Sequence, residues 1–276
     1  MRCPNCGTEN ENNAVNCSSC GANLQQDDGA KTAAAGLKAV TAGGMVFGKK
    51  AREARIKEIV DPSKIISKTA YNGVIGFVLL WGLLINYLLC EKVGSFTNLF
   101  PNMSPIAFGI GYLVVAIIGM LMTFKSKSPV VSFIGYNLVV IPFGLVISTL
   151  VASYVARGQT NAVTQAFLYT LLIAVAMLAT AVVFPRAFEK IGPALGIALL
   201  GMILCGVIMM LFRRQQPIWM SYAAAGLFSL YLGYDIYRSQ QYPRTVKNAI
   251  ASALDIYMDL ANIFIRLLEI LGKSDN

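Results

Sequence analysis

The sequence contains no histidine. That removes the one side chain whose unperturbed charge changes near neutral pH, so a pH response in that range has to come from displaced carboxylates or thiols. It also removes every histidine-based triad, and no Walker loop or metal-hydrolase motif is present. Charge is scarce too: 13% of the 276 residues are charged, where a soluble domain carries about 25%. The scarcity is uneven, with 17 charges in residues 1–69, 11 in 70–236 and 9 in 237–276. With 56% hydrophobic residues and a mean hydropathy of +0.59, this composition excludes a disordered chain, a fibrous protein and an ordinary cytosolic enzyme. It is that of a membrane protein with a polar head. The net charge of +9 sits beside apolar runs, so it reads as topology signal and anionic-lipid contact before nucleic acid.

The head carries Cys3, Cys6, Cys17 and Cys20 in the pattern C-x2-C-x10-C-x2-C, each pair followed by glycine, Gly7 and Gly21. Two such knuckles can close a tetrahedral four-thiolate Zn2+ site with no open position, which is structural and not catalytic. So short a segment has no core of its own, and metal binding would supply its folding energy. The alternative, two disulfides, needs an oxidising compartment; no cleavable signal peptide precedes the cysteines, and a reduced cytosolic position is expected. The doubled motif resembles small zinc-ribbon modules. The predicted organisation is a ribbon over 1–24, a linker over 25–68 and a membrane domain over 69–272. A stretch of the linker, Lys49 to Ile59, reads as a short basic helix, either at the lipid surface or simply solvated. Residues 1–24 hold one basic residue, Arg2, which argues against nucleic acid as the ribbon's partner.

A span needs about 20 mostly apolar residues. Six runs qualify: 70–89, 106–124, 130–153, 161–184, 191–212 and 217–237. Pro105, Pro129, Pro193 and Pro217 fall near predicted helix starts, and Pro142 should kink the third run. A seventh segment, 247–271, places Ser252, Asp255, Asp259, Asn262, Arg266 and Glu269 on one stripe of a helix otherwise apolar. Such a helix can lie flat on a membrane or stand inside a bundle with its polar seam inward; the second is favoured. With the N-terminus in the cytosol, the inner side collects 14 basic residues and the outer side 5, which the positive-inside rule favours. The fold class expected is therefore an all-α integral membrane protein of the inner or plasma membrane, a seven-transmembrane-helix bundle behind a zinc-ribbon module.

Ionisable groups within a bilayer are expensive and are functional candidates by default. Asp235 ends the sixth run, and Asp255 and Asp259 lie in the seventh; spacing alone does not say which of the two meets Asp235. Carboxylates sharing an apolar site cannot both ionise cheaply, so such a pair titrates as a unit with one pKa raised. Ionised, it could attract a hard cation such as Ca2+. The bland reading is that Asp235 caps a helix end, Asp255 meets interfacial water and Asp259 pairs with Arg266. An intramembrane aspartyl protease also needs two aspartates on adjacent helices, but the usual Gly-x-Gly-Asp is absent before Asp255, and Pro193-Ala194-Leu195 precedes both aspartates where that enzyme family places it after. The chain is read as a non-enzyme.

The segments Ser229-Leu230-Tyr231-Leu232-Gly233-Tyr234-Asp235, Ala253 to Phe264, and Leu267-Leu268-Glu269-Ile270-Leu271-Gly272, with Gln165 to Thr170 earlier, resemble the transmembrane Bax-inhibitor-motif family. The resemblance covers about residues 65–272 and is specific in the last two helices. It implies a seven-helix bundle with a cytosolic N-terminus and a pH-sensitive calcium leak governed by two aspartates. Those fall on Asp235 and Asp259, with Asp255 ranked below. The basic latch residue that the family carries at the end of its second helix falls on Lys125, with Lys127 nearby; a lysine there lacks the bidentate fork of the usual arginine. The zinc ribbon is not a general feature of that family. It implies an added cytosolic protein partner, such as a membrane protease or stress-response component, and a second reading of the whole chain as a non-transporting regulator.

Overall fold

The computed structural model describes residues 8, 9, 11, 18, 19, 55, 56, 58, 60–211 and 217–274. The chain divides into two units, Met1–Ala54 and Arg55–Asn276. In the first unit the four cysteines of the expected zinc ribbon lie outside the described residues.

The second unit is helical throughout its described length apart from turns and short connections. A 3-10 turn, Pro62–Lys64, is followed by eight α-helices: α1 Lys68–Lys92, α2 Phe96–Leu99, α3 Pro105–Lys125, α4 Pro129–Ala156, α5 Thr160–Val183, α6 Pro185–Leu211, α7 Ile218–Ser239 and α8 Val246–Ser274. Seven are long, and they coincide with the seven segments read from hydropathy. Starts are set by local chemistry. Ser67 and Ser104 accept hydrogen bonds from Ala70 and Ala107 at the first turns of α1 and α3, relieving amides that a helix start leaves without partners. Pro105 and Pro129 open α3 and α4, where a missing N–H costs little.

One proline expectation changes. Helix α6 begins at Pro185, six residues before the apolar run, so Arg186, Glu189 and Lys190 are helical rather than loop and Pro193 stands inside the helix. Nothing between Pro185 and the run breaks a helix, and proline at the first position favours one. Helix α4 continues from Pro129 to Ala156 through Pro142.

Among the described residues five helices are long and apolar enough to cross a membrane: α1, α3, α4, α5 and α6. Five of the seven expected spans thus meet that measure of length and composition. Helix α7 is diluted by tyrosine, serine and Asp235, and α8 by its polar stripe. The five spans turn large apolar side chains outward, including Phe77, Ile110, Leu172 and Ile197, as a hydrocarbon surrounding requires.

Helix α8 is the hub. It packs against α1, α3, α4, α5 and α7, and no residue from Val246 to Gly272 is exposed. The choice between a surface helix and a buried one is therefore settled for burial. Its large buried side chains Leu254, Tyr257 and Ile263 join Tyr71 of α1, Tyr136, Val139 and Val140 of α4 and Leu232 of α7 in one core. Helix α6 sits at the edge, chiefly on α7.

Close approach replaces a hydrophobic driving force between membrane helices. At the α3–α4 crossing a Cβ on Gly135 would stand 2.5 Å from the Gly119 carbonyl oxygen, and one on Gly119 2.7 Å from that of Gly135. A reciprocal clasp locks the same crossing: the Thr123 hydroxyl donates to the Ser132 carbonyl and the Ser132 hydroxyl to the Thr123 carbonyl, each at 3.2 Å.

Candidate functional site

The end of the bundle where α7 turns into α8 gathers most of the charge. The turn, residues 240–245, is short, so α7 and α8 run antiparallel in contact. Asp235 lies on the last turn but one of α7 and is 9% exposed. Asp259 on α8 is 6% exposed. Asp255 lies one turn, about 6 Å, nearer the helix start on the same face of α8. The bundle therefore buries two of the three predicted carboxylates on neighbouring helices. The three acids do not form a ready cation cage: no group of three or more His, Cys, Asp or Glu that could hold a metal ion occurs among the described residues.

Tyr242, in the α7–α8 turn, organises the surroundings. Its ring is buried. The Arg55 guanidinium carbon stands 4.1 Å from its centroid and that of Arg238 5.7 Å. Burial pushes the Tyr242 hydroxyl above the ordinary tyrosine range; Arg55 and Arg238 pull the other way, and Asp255 and Asp235 add to the rise. Both acids and both arginines thus act on one phenol. Arg238 is itself buried and donates to the Tyr234 hydroxyl at 3.2 Å.

Asp255 meets Arg55. Nη1 of Arg55 is 3.4 Å from Asp255 Oδ2, with the two side chains 12% and 24% exposed. Arg55 also stacks at 5.0 Å over Phe124, at the end of α3. Neighbouring contacts bind the same stretch of chain to the turn: Lys247 Nζ lies 3.3 Å from Glu58 Oε2, and the Ile66 amide donates to the Arg244 carbonyl at 2.8 Å.

The latch candidates Lys125 and Lys127 are exposed, and neither forms an ion pair among the described residues. The arginine that pairs with Asp255 comes from ahead of the first span. Sequence reasoning placed Arg55 on a short basic helix, at the lipid surface or solvated, and did not pair it; nothing in the string Arg52-Glu53-Ala54-Arg55 marks Arg55 as a partner for Asp255. Of the residues in the bland reading, Arg266 pairs with Glu269 at 2.8 Å, and Asp255 has Arg55 beside it.

Deeper in the bundle, Asn86 of α1 and Tyr257 of α8 exchange hydrogen bonds, Nδ2 to the phenol oxygen at 2.8 Å and the phenol to Oδ1 at 3.1 Å. Tyr71 of α1 donates to the Ser239 carbonyl at 3.0 Å and touches the Ser252 hydroxyl at 3.3 Å. At the opposite end Ser221 donates to Glu269 at 2.9 Å, beside a cleft of about 190 Å3 bounded by Tyr154 and Lys273.

Two uncharacterised proteins of Helicobacter pylori, from strains J99 and 26695, are 26% and 25% identical over 189 residues, covering 67% of this chain and 80% of each relative. The family model described as inhibitor of apoptosis-promoting Bax1 matches residues 67–276, and with more than half of its length so matched this chain belongs to the Bax1-I family.

Proposed function

We propose that this multi-pass membrane protein is a pH-sensitive cation leak, calcium foremost, controlled by the carboxylates of α7 and α8. The observation that carries the reading is the burial of Asp235 and Asp259 on adjacent helices of the bundle. An acid withdrawn from water on a lipid-shielded helix is retained against its desolvation cost only where it has work to do. Ca2+ takes 6–8 oxygens, so two or three carboxylates act as an attractor and a gate rather than as a storage cage. Ionised, they draw cations to the α7–α8 end; protonated, they release the contacts that hold it closed. No catalytic role is assigned to them.

In this reading all seven long helices cross the bilayer, α7 and α8 shielded by the five more apolar ones. The N-terminus lies in the cytosol of the inner or plasma membrane, and the head holds structural Zn2+ on Cys3, Cys6, Cys17 and Cys20. The test is calcium-dye flux in proteoliposomes across a pH series. Asp235→Asn and Asp259→Asn should each alter the pH response, and absence of flux at every pH would remove the reading.

One observation favours a second reading, a non-transporting regulator whose ribbon docks a cytosolic protein. The head and linker precede the family-matched residues, which start at 67. Cys3→Ser and Cys6→Ser should then abolish partner capture while flux is absent in every variant.

A further inference from the structure

The chain ahead of α1 is fastened to the carboxylate end of the bundle at three places, and none of them belongs to the family-matched residues alone. Arg55 enters between two aromatic rings to reach Asp255. Glu58 pairs with Lys247, in the first turn of α8. The Ile66 amide binds the Arg244 carbonyl of the turn, and Ile66 is the only residue of 61–70 withdrawn from solvent. Between these fastenings the chain turns a corner of its own making. Asp61 accepts from the Ser63 amide at 3.0 Å ahead of Pro62, and that bond holds the Asp61 carboxyl below its ordinary value. An Asx turn with a following proline fixes the direction of the chain locally, without help from the bundle.

We propose that the segment from Arg55 to Ile66 is a built-in latch. By clamping Tyr242, Asp255 and the start of α8, it holds the α7–α8 hairpin shut until the chain ahead of it moves. Arginine suits the position in a way lysine does not: its planar face covers Phe124 and Tyr242 while one edge donates to the carboxylate. The latch joins α3, through Phe124, to the α7–α8 turn, so its release frees two elements at once. The effect on flux rests on the cation-leak reading; the clamping itself does not.

The experiment follows amide hydrogen exchange of residues 55–67 and calcium flux together, in full-length protein in proteoliposomes. The variants are Arg55→Gln, Arg55→Lys and the charge swap Arg55→Asp with Asp255→Arg. Exchange at Val139 and Val140 serves as a control for the fold. Arg55→Gln should speed exchange at the Ile66 amide about tenfold and raise flux. Arg55→Lys should lie between it and wild type, and the swap should recover part of the protection. Unchanged exchange in Arg55→Gln overturns the latch, as does a loosened segment with flux present but unaltered. A loosened segment with no flux in any protein, wild type included, leaves the clamp standing and removes the leak reading instead.

Discussion

Asn86 and Tyr257, 171 residues apart, each donate to and accept from the other inside the bundle. Both are buried, so neither has bulk water as an alternative partner. Tyr257→Phe should cost about 1–3 kcal/mol, most of it the penalty of leaving Asn86 without its partner. Thermal unfolding in detergent measures this. Adding Asn86→Ala to Tyr257→Phe should cost less than the sum of the single changes, because the second removes a group the first has already stranded.

Tyr242 separates the aromatic from the titratable contribution at the α7–α8 turn. Tyr242→Phe keeps the ring against Arg55 and Arg238, and stability should change by no more than about 0.5 kcal/mol. Tyr242→Leu removes the face that both guanidinia cover and should cost about 1–2 kcal/mol. The Tyr242 hydroxyl is raised above the tyrosine range, so it stays protonated below that range and contributes no charge change between pH 5 and 8. The pH profile of flux should superimpose for wild type and Tyr242→Phe. A displaced midpoint would transfer the sensor from the carboxylates to the phenol.

The seven long helices were legible in the sequence, because twenty-residue apolar runs and helix-starting prolines are strong signals in a chain with so little charge between them. The burial of α8 was legible as well: its six polar residues fall on one stripe, and a helix with so many other apolar positions must cover them. The start of α6 was missed because charged residues at the end of a run read as loop, although Pro185 permits a helix through them. Arg55 was missed for a different reason. Its partner lies 200 residues away, and periodicity carries no information about pairing at that distance. Reading the latch onto Lys125 relied on the position of a helix end; in the structure the neighbouring Phe124 does the packing and Lys125 faces outward.

The α3–α4 crossing should tolerate no side chain at its glycines. Gly135→Leu places atoms against the Gly119 carbonyl oxygen and the Thr123 backbone, where backbone cannot yield as a flexible side chain can. The expected cost is at least about 1–3 kcal/mol, seen as loss of monodisperse protein in gel filtration. Ser132→Ala, which removes half of the clasp with Thr123, should be milder at about 1 kcal/mol.

The head should bind zinc independently of the bundle. Metal analysis of the purified chain should give about one zinc per molecule, falling to background in Cys3→Ser with Cys17→Ser. The thermal transition of the membrane domain should stay unchanged, since the four cysteines precede residues 69–272 in the sequence. Two disulfides in place of a metal would show as zinc-free protein whose mobility changes on reduction.

The most direct test of the carboxylate gate is calcium flux into proteoliposomes as a function of pH for wild type, Asp235→Asn, Asp255→Asn and Asp259→Asn. The account predicts a pH-dependent flux in wild type whose profile is shifted or flattened by Asp235→Asn and Asp259→Asn, with Asp255→Asn acting through release of Arg55. Four identical profiles, or flux that ignores pH in wild type, would contradict it.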